Sequence, residues 1–250
     1  MINTREKTLL ILPHLDDEFA LAPLIRAIIE ARPNSLKIIY CAERLTNSTK
    51  LVRQRRSESL KSLKLLGCNE KDIYYLNDNF RVDDLGLIDA AESIYSFLED
   101  FTRGAGFKQI VTLNLEGGHP DHDALAMVVN KFGRTENILT FFIPTYNYER
   151  GLLIPLSVFT PLQGQRPFSS FIEFARFCWF DSLKVAFVYK SERAAFIKLL
   201  PFILVRALFF RGVYVTLEID ARFVDWEKSL TLNRYGDYAH DFLKKIDKYK

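Results

Sequence analysis

Read along the chain, apolar and polar positions alternate between two periods for the first 145 residues. Thr8-Leu9-Leu10-Ile11-Leu12 is a short continuous apolar run closed by Pro13, the signature of a strand buried on both faces. Glu18 to Ala31 follows with helical spacing and stops before Pro33. Leu36 to Cys41 predicts a second strand, and Thr49 to Leu66 a helix with a basic outer face ended by Gly67. Asp72 to Leu76, Gln109 to Leu115 and Ile138 to Ile143 predict three more strands. Leu87 to Phe101 and Asp123 to Phe132 predict the helices between them. Short apolar strands alternating with helices imply βαβ units. The expected fold class is therefore α/β: a Rossmann-like, mostly parallel sheet with flanking helices and its active site at the C-terminal ends of the strands.

From about Pro144 the pattern changes. Fifteen of the 21 phenylalanines fall in residues 141–250. Gly164 to Pro167 predicts a loop, Ser169 to Phe180 a short aromatic helix, and Val213 to Ile219 a strand. Asp181 to Val188 fits a strand or a helix equally well. Ser191 to Phe210 predicts a helix kinked at Pro201, and Asp237 to Lys250 a terminal helix with lysines in its last turns. There is no clean linker and no repeat. The expectation is one domain over residues 1–250: a motif-bearing core, 1–145, with an aromatic-rich extension, 146–250, packed on it.

Composition narrows the class. The chain has 250 residues, 48% hydrophobic and 26% charged, as in an ordinary globular protein with a full core. Its three cysteines, Cys41, Cys68 and Cys178, are odd in number and far apart, which excludes a disulfide scaffold and a cysteine zinc site. A net charge of +3 without clustering argues against nucleic acid as a partner. No signal-like segment opens the chain, and Leu199 to Phe210 is too short to span a bilayer. The expected location is cytoplasmic. Peripheral membrane contact stays open, because Phe196 to Phe210 interleaves apolar residues with Lys198 and Arg206. That segment reads as a membrane-resting helix or, preferably, as a buried helix roofing the sheet with its basic residues snorkelling.

The chemistry is concentrated in two places. Three of the four histidines lie in Pro13-His14-Leu15-Asp16-Asp17-Glu18 and Gly117-Gly118-His119-Pro120-Asp121-His122-Asp123, each directly after a predicted strand. His240 stands alone and reads as a surface or partly packed residue. A catalytic zinc takes three nitrogen or oxygen ligands and keeps one position open. His14, Asp17 and His122 could supply them, leaving Asp16 as base toward a metal-activated water. Either cluster taken singly could instead be a helix N-cap, with an aspartate holding backbone amides. Two such clusters at equivalent strand ends favour the site.

These motifs resemble those of the PIG-L/LmbE-like zinc-dependent deacetylases, the N-acetylglucosaminyl de-N-acetylase type. The first motif matches Pro/Ala-His-Pro-Asp-Asp-Glu at five of six positions, and His119 to His122 matches His-Pro-Asp-His throughout. Arg55-Arg56-Ser57-Glu58, Leu66-Gly67 and, more weakly, Asp78 continue the resemblance, which covers roughly residues 8 to 143. It implies that His14, Asp17 and His122 ligate Zn2+ or another divalent metal, that Asp16 is the general base, and that His119 stabilises the oxyanion or protonates the leaving amine. It further implies that Asp121 orients His119, that Glu18 supports the ligands, and that Arg55 and Asp78 hold sugar hydroxyls or a phosphate. An ion pair or a cap would explain Arg55 and Asp78 as well. The implied substrate is a small-molecule or lipid-linked amino sugar, from which an N-acetyl group is removed. Leu15 stands where the family usually has proline, and the expectation there is a change in loop stiffness without loss of metal. Hydrolysis of another amide or an ester, or sugar binding without turnover, are the rival readings.

Overall fold

The apolar runs become strands. In the computed structural model Thr8–Leu12 (β1), Leu36–Tyr40 (β2) and Ile73–Tyr75 (β3) precede Gln109–Leu113 (β4) and Leu139–Ile143 (β5). Glu18–Ala31 (α1), Thr49–Leu65 (α2), Ala91–Thr102 (α3) and Pro120–Glu136 (α4) are the intervening helices. The structure describes residues 2–45, 49–147, 157–174, 178–219, 222, 224 and 237–249. Every residue of β1 and β4 is buried, as continuous apolar strands in a covered parallel sheet should be.

The sheet has seven strands in the order β3-β2-β1-β4-β5-β9-β8, where β8 is Ser169–Glu173 and β9 is Gly212–Thr216. β1 with β2, β2 with β3, and β4 with β5 are parallel; β9 joins β5 antiparallel. Tyr146–Asn147 (β6) and Ser157–Val158 (β7) form a separate antiparallel pair. The chain divides into two compact units, residues 1–84 with 171–213, and residues 85–170 with 214–250.

In the first unit, α1 and α2 are joined by Phe180–Val188 (α5) and Arg193–Phe209 (α6). The segment for which periodicity left strand and helix open is thus a helix. α6 runs through Pro201 and is buried on one side only: Phe196, Ile203, Arg206 and Ala207 are covered, while Leu204, Val205 and Phe209 are exposed. Among the described residues of Ser169–Phe180, the expected aromatic helix is not formed. Residues 169–173 are the strand β8, because main-chain bonding at the sheet edge overrides the local pattern: Phe174 N–H donates to the Arg211 carbonyl. Gly212 permits that approach, since a Cβ there would lie 1.8 Å from the Ile172 carbonyl oxygen. Trp179, fully buried, donates its indole N–H to the Gly212 carbonyl at 3.0 Å.

In the second unit two helix starts differ from the pattern. α4 begins at Pro120, ahead of the expected Asp123, because proline suits the first helical position and His119 caps it. α3 begins at Ala91 instead of Leu87, residues 87–90 forming a turn, and the Asp121 carboxylate accepts the N–H groups of Leu85 and Leu87 at 2.7 and 3.1 Å. The terminal helix forms over Asp237–Ile246 (α7) and tightens to a 3-10 turn over Asp247–Tyr249, short of the expected helix to Lys250. Among the described residues no helix is long and apolar enough to cross a membrane.

Candidate active site

The first unit contributes the loop that leaves β1. Asp17 is the residue preceding the first turn of α1, where an aspartate ordinarily caps, yet its side chain makes no capping bond. Its Oδ2 instead accepts the His14 backbone N–H at 2.8 Å and lies 3.4 Å from His14 Nδ1. The other ring nitrogen, Nε2, is 3.2 Å from Asp84 Oδ1. One imidazole is therefore bracketed by two carboxylates, a His/Asp cluster of the donor types that bind a divalent metal.

Asp16 points elsewhere. Its φ of +123° is a strained value for a non-glycine residue. Its N–H is held by Glu18 Oε2 at 3.2 Å, and its Oδ2 lies 3.5 Å from Arg55 Nη2. Burial, and then the neighbouring Asp17 charge, push the Asp16 carboxyl well above its usual range, with Arg55 opposing. Arg55 itself is buried: Nη2 donates to the Leu15 carbonyl at 2.9 Å and Nη1 pairs with Glu192 at 2.8 Å. It clamps the turn that carries Leu15 and Asp16. Asp78, by contrast, is exposed and pairs with Arg56 at 2.8 Å. The structure does not group it with His14.

Glu18 anchors this loop from below. Fully buried, its carboxylate accepts from Tyr40 Oη at 2.8 Å, Tyr189 Oη at 2.5 Å and Ser62 Oγ, besides the Asp16 N–H. Burial raises its pKa while the three hydroxyl donors oppose the rise.

The second unit contributes the loop that leaves β4 and the start of α4. His119 caps the helix: its Nδ1 accepts the Asp121 N–H at 3.2 Å. With Nδ1 accepting, the neutral ring carries its proton on Nε2. Asp121 thus reaches His119 through its backbone, while its carboxylate holds the Leu85–Leu87 turn described above. His122 is buried one turn into α4, its ring centroid 5.1 Å from that of His119 and 5.8 Å from Tyr146. The turn before it is fitted tightly, since a Cβ on Gly118 would lie 2.8 Å from the Tyr146 carbonyl oxygen.

Beneath this turn sit two buried carboxylates that the sequence did not single out as a pair. Asp123 Oδ1 accepts the N–H groups of Glu116 and Gly117 at 2.8 and 3.1 Å, and burial pushes its pKa up to about 8. Glu116 accepts from Thr145 N–H, Thr145 Oγ1 and Tyr146 N–H, and burial pushes it from 4.5 to about 7. The sign follows directly. Between those two values the folded state holds a proton that the unfolded chain has released, so stability is full at acid pH and falls as pH rises through 7. The Glu116 contribution is worth up to about 3 kcal/mol. Thermal melts from about pH 5 to about pH 8 are expected to show this decline, and Glu116→Gln is expected to flatten it. An unchanged slope in the variant would assign the decline to other groups.

Each unit carries, among the described residues, side chains of a donor type that suits a metal: His14 and Asp84 in the first, His119, Asp121 and His122 in the second. Sequence reasoning missed Asp84, Glu192, Tyr40, Tyr189 and Ser62. The Asp83-Asp84 doublet shortly after the third strand was a usable signal for Asp84. Nothing in spacing could flag Tyr189, 171 positions from its partner Glu18. The side chain of His240 lies outside the described residues.

Comparison with known proteins agrees with the fold. Residues 9–132 match the PIG-L family, described as GlcNAc-PI de-N-acetylase. No curated protein matches the chain. Among solved structures, the fold is similar to a deacetylase of the A40926 pseudoaglycone, with a TM-score of 0.61 at 14% identity over 86% of this chain and 100% of that one. It is also similar to the N,N'-diacetylchitobiose deacetylase of Pyrococcus horikoshii, with a TM-score of 0.56 at 17% identity over 85% and 84% of the two chains. A zinc-inhibited form of teicoplanin deacetylase aligns with a TM-score of 0.55 at 12% identity over 84% and 96%.

Proposed function

We propose, from the match of residues 9–132 to the PIG-L family, that this chain is a metal-dependent hydrolase removing an N-acetyl group from an amino-sugar glycoconjugate. The observation that carries the reading is the uncapped Asp17: a carboxylate at a helix start that forgoes its capping bond to face His14. His14, Asp17 and His122 are the proposed metal ligands, two imidazoles and a carboxylate, a donor set suited to zinc or another divalent ion. When bound, the metal supplies Lewis acidity toward the amide carbonyl and lowers the pKa of water.

The remaining roles fall to this chain's own groups. Asp16, kept close to Arg55, takes the proton of the attacking water. His119 presents its Nε2–H to the developing oxyanion, and the proton that Asp16 took from the water passes to the amine as the C–N bond breaks, leaving acetate and free amine. Asp121 orients His119 by fixing which ring nitrogen carries the proton. Arg55, through the Leu15–Asp16 turn, is the proposed positioning residue for this loop, and the outlying Asp78 is the proposed contact for sugar hydroxyls.

The test is acetate and free-amine release from N-acetylglucosamine-containing substrates, measured after chelation and after adding back zinc, cobalt or manganese separately. Testing several metals matters because one similar enzyme was solved in a zinc-inhibited form. Equal amounts of acetate and amine, lost on chelation and restored by a metal, are expected. Turnover of esters alone would move the reading to a different hydrolase. Failure to bind any metal would leave a sugar-binding protein on this scaffold.

A further inference from the structure

Helix α6 is apolar on both of its sides, yet only one is covered. Phe196, Ile203 and Ala207 are buried, while Ile197, Leu204, Val205, Leu208 and Phe209 are exposed, Phe209 at 75%. Positions 197, 201, 204, 205 and 208 recur at the helical repeat, so Ile197, Pro201, Leu204, Val205 and Leu208 share one outward face. Phe187, on the neighbouring α5 of the same unit, is likewise 75% exposed. A helix apolar all round is ordinarily sunk in a core or seated in lipid, and an exposed apolar face of this kind marks an interaction site.

The charge around this face selects the occupant. Between Phe180 and Arg211 the exposed charged side chains are Lys184, Lys190, Arg193, Lys198 and Arg211, all basic. The acids of that stretch, Asp181 and Glu192, are not exposed and are engaged by Arg26 and Lys184 and by Arg44 and Arg55. A second copy of the chain packed two-fold on this face would set these cations against their own equivalents. An anionic phospholipid surface complements both the apolar side chains and the cations. α6 is 17 residues long and carries Arg193, Lys198 and Arg206, and no described helix can cross a bilayer, so the contact lies along the surface.

We propose that the α5–α6 face of the first unit docks on an anionic bilayer surface, with Phe187, Leu208 and Phe209 entering the acyl boundary. The full chain should co-sediment with phosphatidylcholine–phosphatidylglycerol vesicles at low salt and only weakly with phosphatidylcholine alone. The variant F187S/L208S/F209S changes exposed side chains only and should lower vesicle affinity by roughly tenfold or more. Acetate release from a water-soluble acetylated amino sugar should be unchanged in that variant. Vesicle binding is read without turnover, so this inference and the deacetylase reading fail separately. No binding to anionic vesicles, or equal binding by the variant, would overturn it. A concentration-dependent dimer of the parent chain that the variant abolishes, without vesicle binding, would assign the face to a second copy.

Discussion

Asp16→Asn is expected to keep its metal and lose roughly 10²-fold or more of its turnover, while Asp17→Asn is expected to lose the metal itself. The two aspartates are adjacent, and composition treats them as equivalent. The backbone does not. At the head of α1 the Asp17 carboxylate turns to His14, whereas the positive φ of Asp16 carries its carboxylate toward Arg55. A neutral amide in place of Asp17 is a weaker ligand and a weaker acceptor for the His14 N–H. A neutral amide in place of Asp16 leaves the ligands intact but cannot accept a proton. His119→Ala should resemble the second case, with metal retained and turnover lost, because its work is on the oxyanion. Metal content and acetate release on the three purified variants decide the matter. If Asp16→Asn empties the site and Asp17→Asn stays loaded, the roles are exchanged. If all three retain metal and activity, neither loop is catalytic.

Glu18→Ala is expected to cost about 4 kcal/mol of stability, a fall in Tm of roughly 10 °C. The substitution strands the hydroxyls of Tyr40 and Tyr189 in a dry interior, leaves Ser62 only the Ser59 carbonyl, and frees the N–H of Asp16. Each buried group left unpaired costs about 1–3 kcal/mol, and partial rearrangement of the hydroxyls keeps the total below their sum. Glu18→Gln keeps the volume and an acceptor oxygen, so it should recover most of the stability. The split between the variants separates packing from positioning. If Glu18 acts only on stability, Glu18→Gln should have full activity at low temperature. If it also holds the strained Asp16, Glu18→Gln should stay folded and still lose turnover, with its metal retained. A Tm unchanged in Glu18→Ala would show that the network contributes nothing.

The elements that were legible in the sequence are those whose cause is local. β1 and β4 announce themselves because a strand buried on both faces needs an unbroken apolar run, and α2 ends where Gly67 follows it. The two His/Asp clusters were legible for a similar reason: each is a contiguous turn, so its residues are neighbours in sequence before they are neighbours in space. Where a distant group competes for the same backbone, local reading fails. Leu87 carries a helical pattern, but residues 87–90 are a turn tied to Asp121 from 34 positions away, and α3 starts at Ala91. Ser169–Glu173 carries an aromatic pattern that periodicity assigns to a helix, but the backbone of residues 211–216 offers it a sheet edge.

Sequence alone therefore determined the α/β class, the mostly parallel sheet and the two motifs that carry the candidate side chains, since periodicity and contiguous motifs encode them within a few residues. Only the tertiary structure decided which carboxylate faces His14 and which faces Arg55, and that Arg55 is a buried clamp. It also decided that Asp84 and not Asp78 lies beside His14, and that Glu18 is held by Tyr189 from 171 positions away. These are pairings between groups far apart in the chain. Folding creates them by burying charges and hydroxyls that must then find partners within the interior, and the identity of those partners depends on which elements pack together.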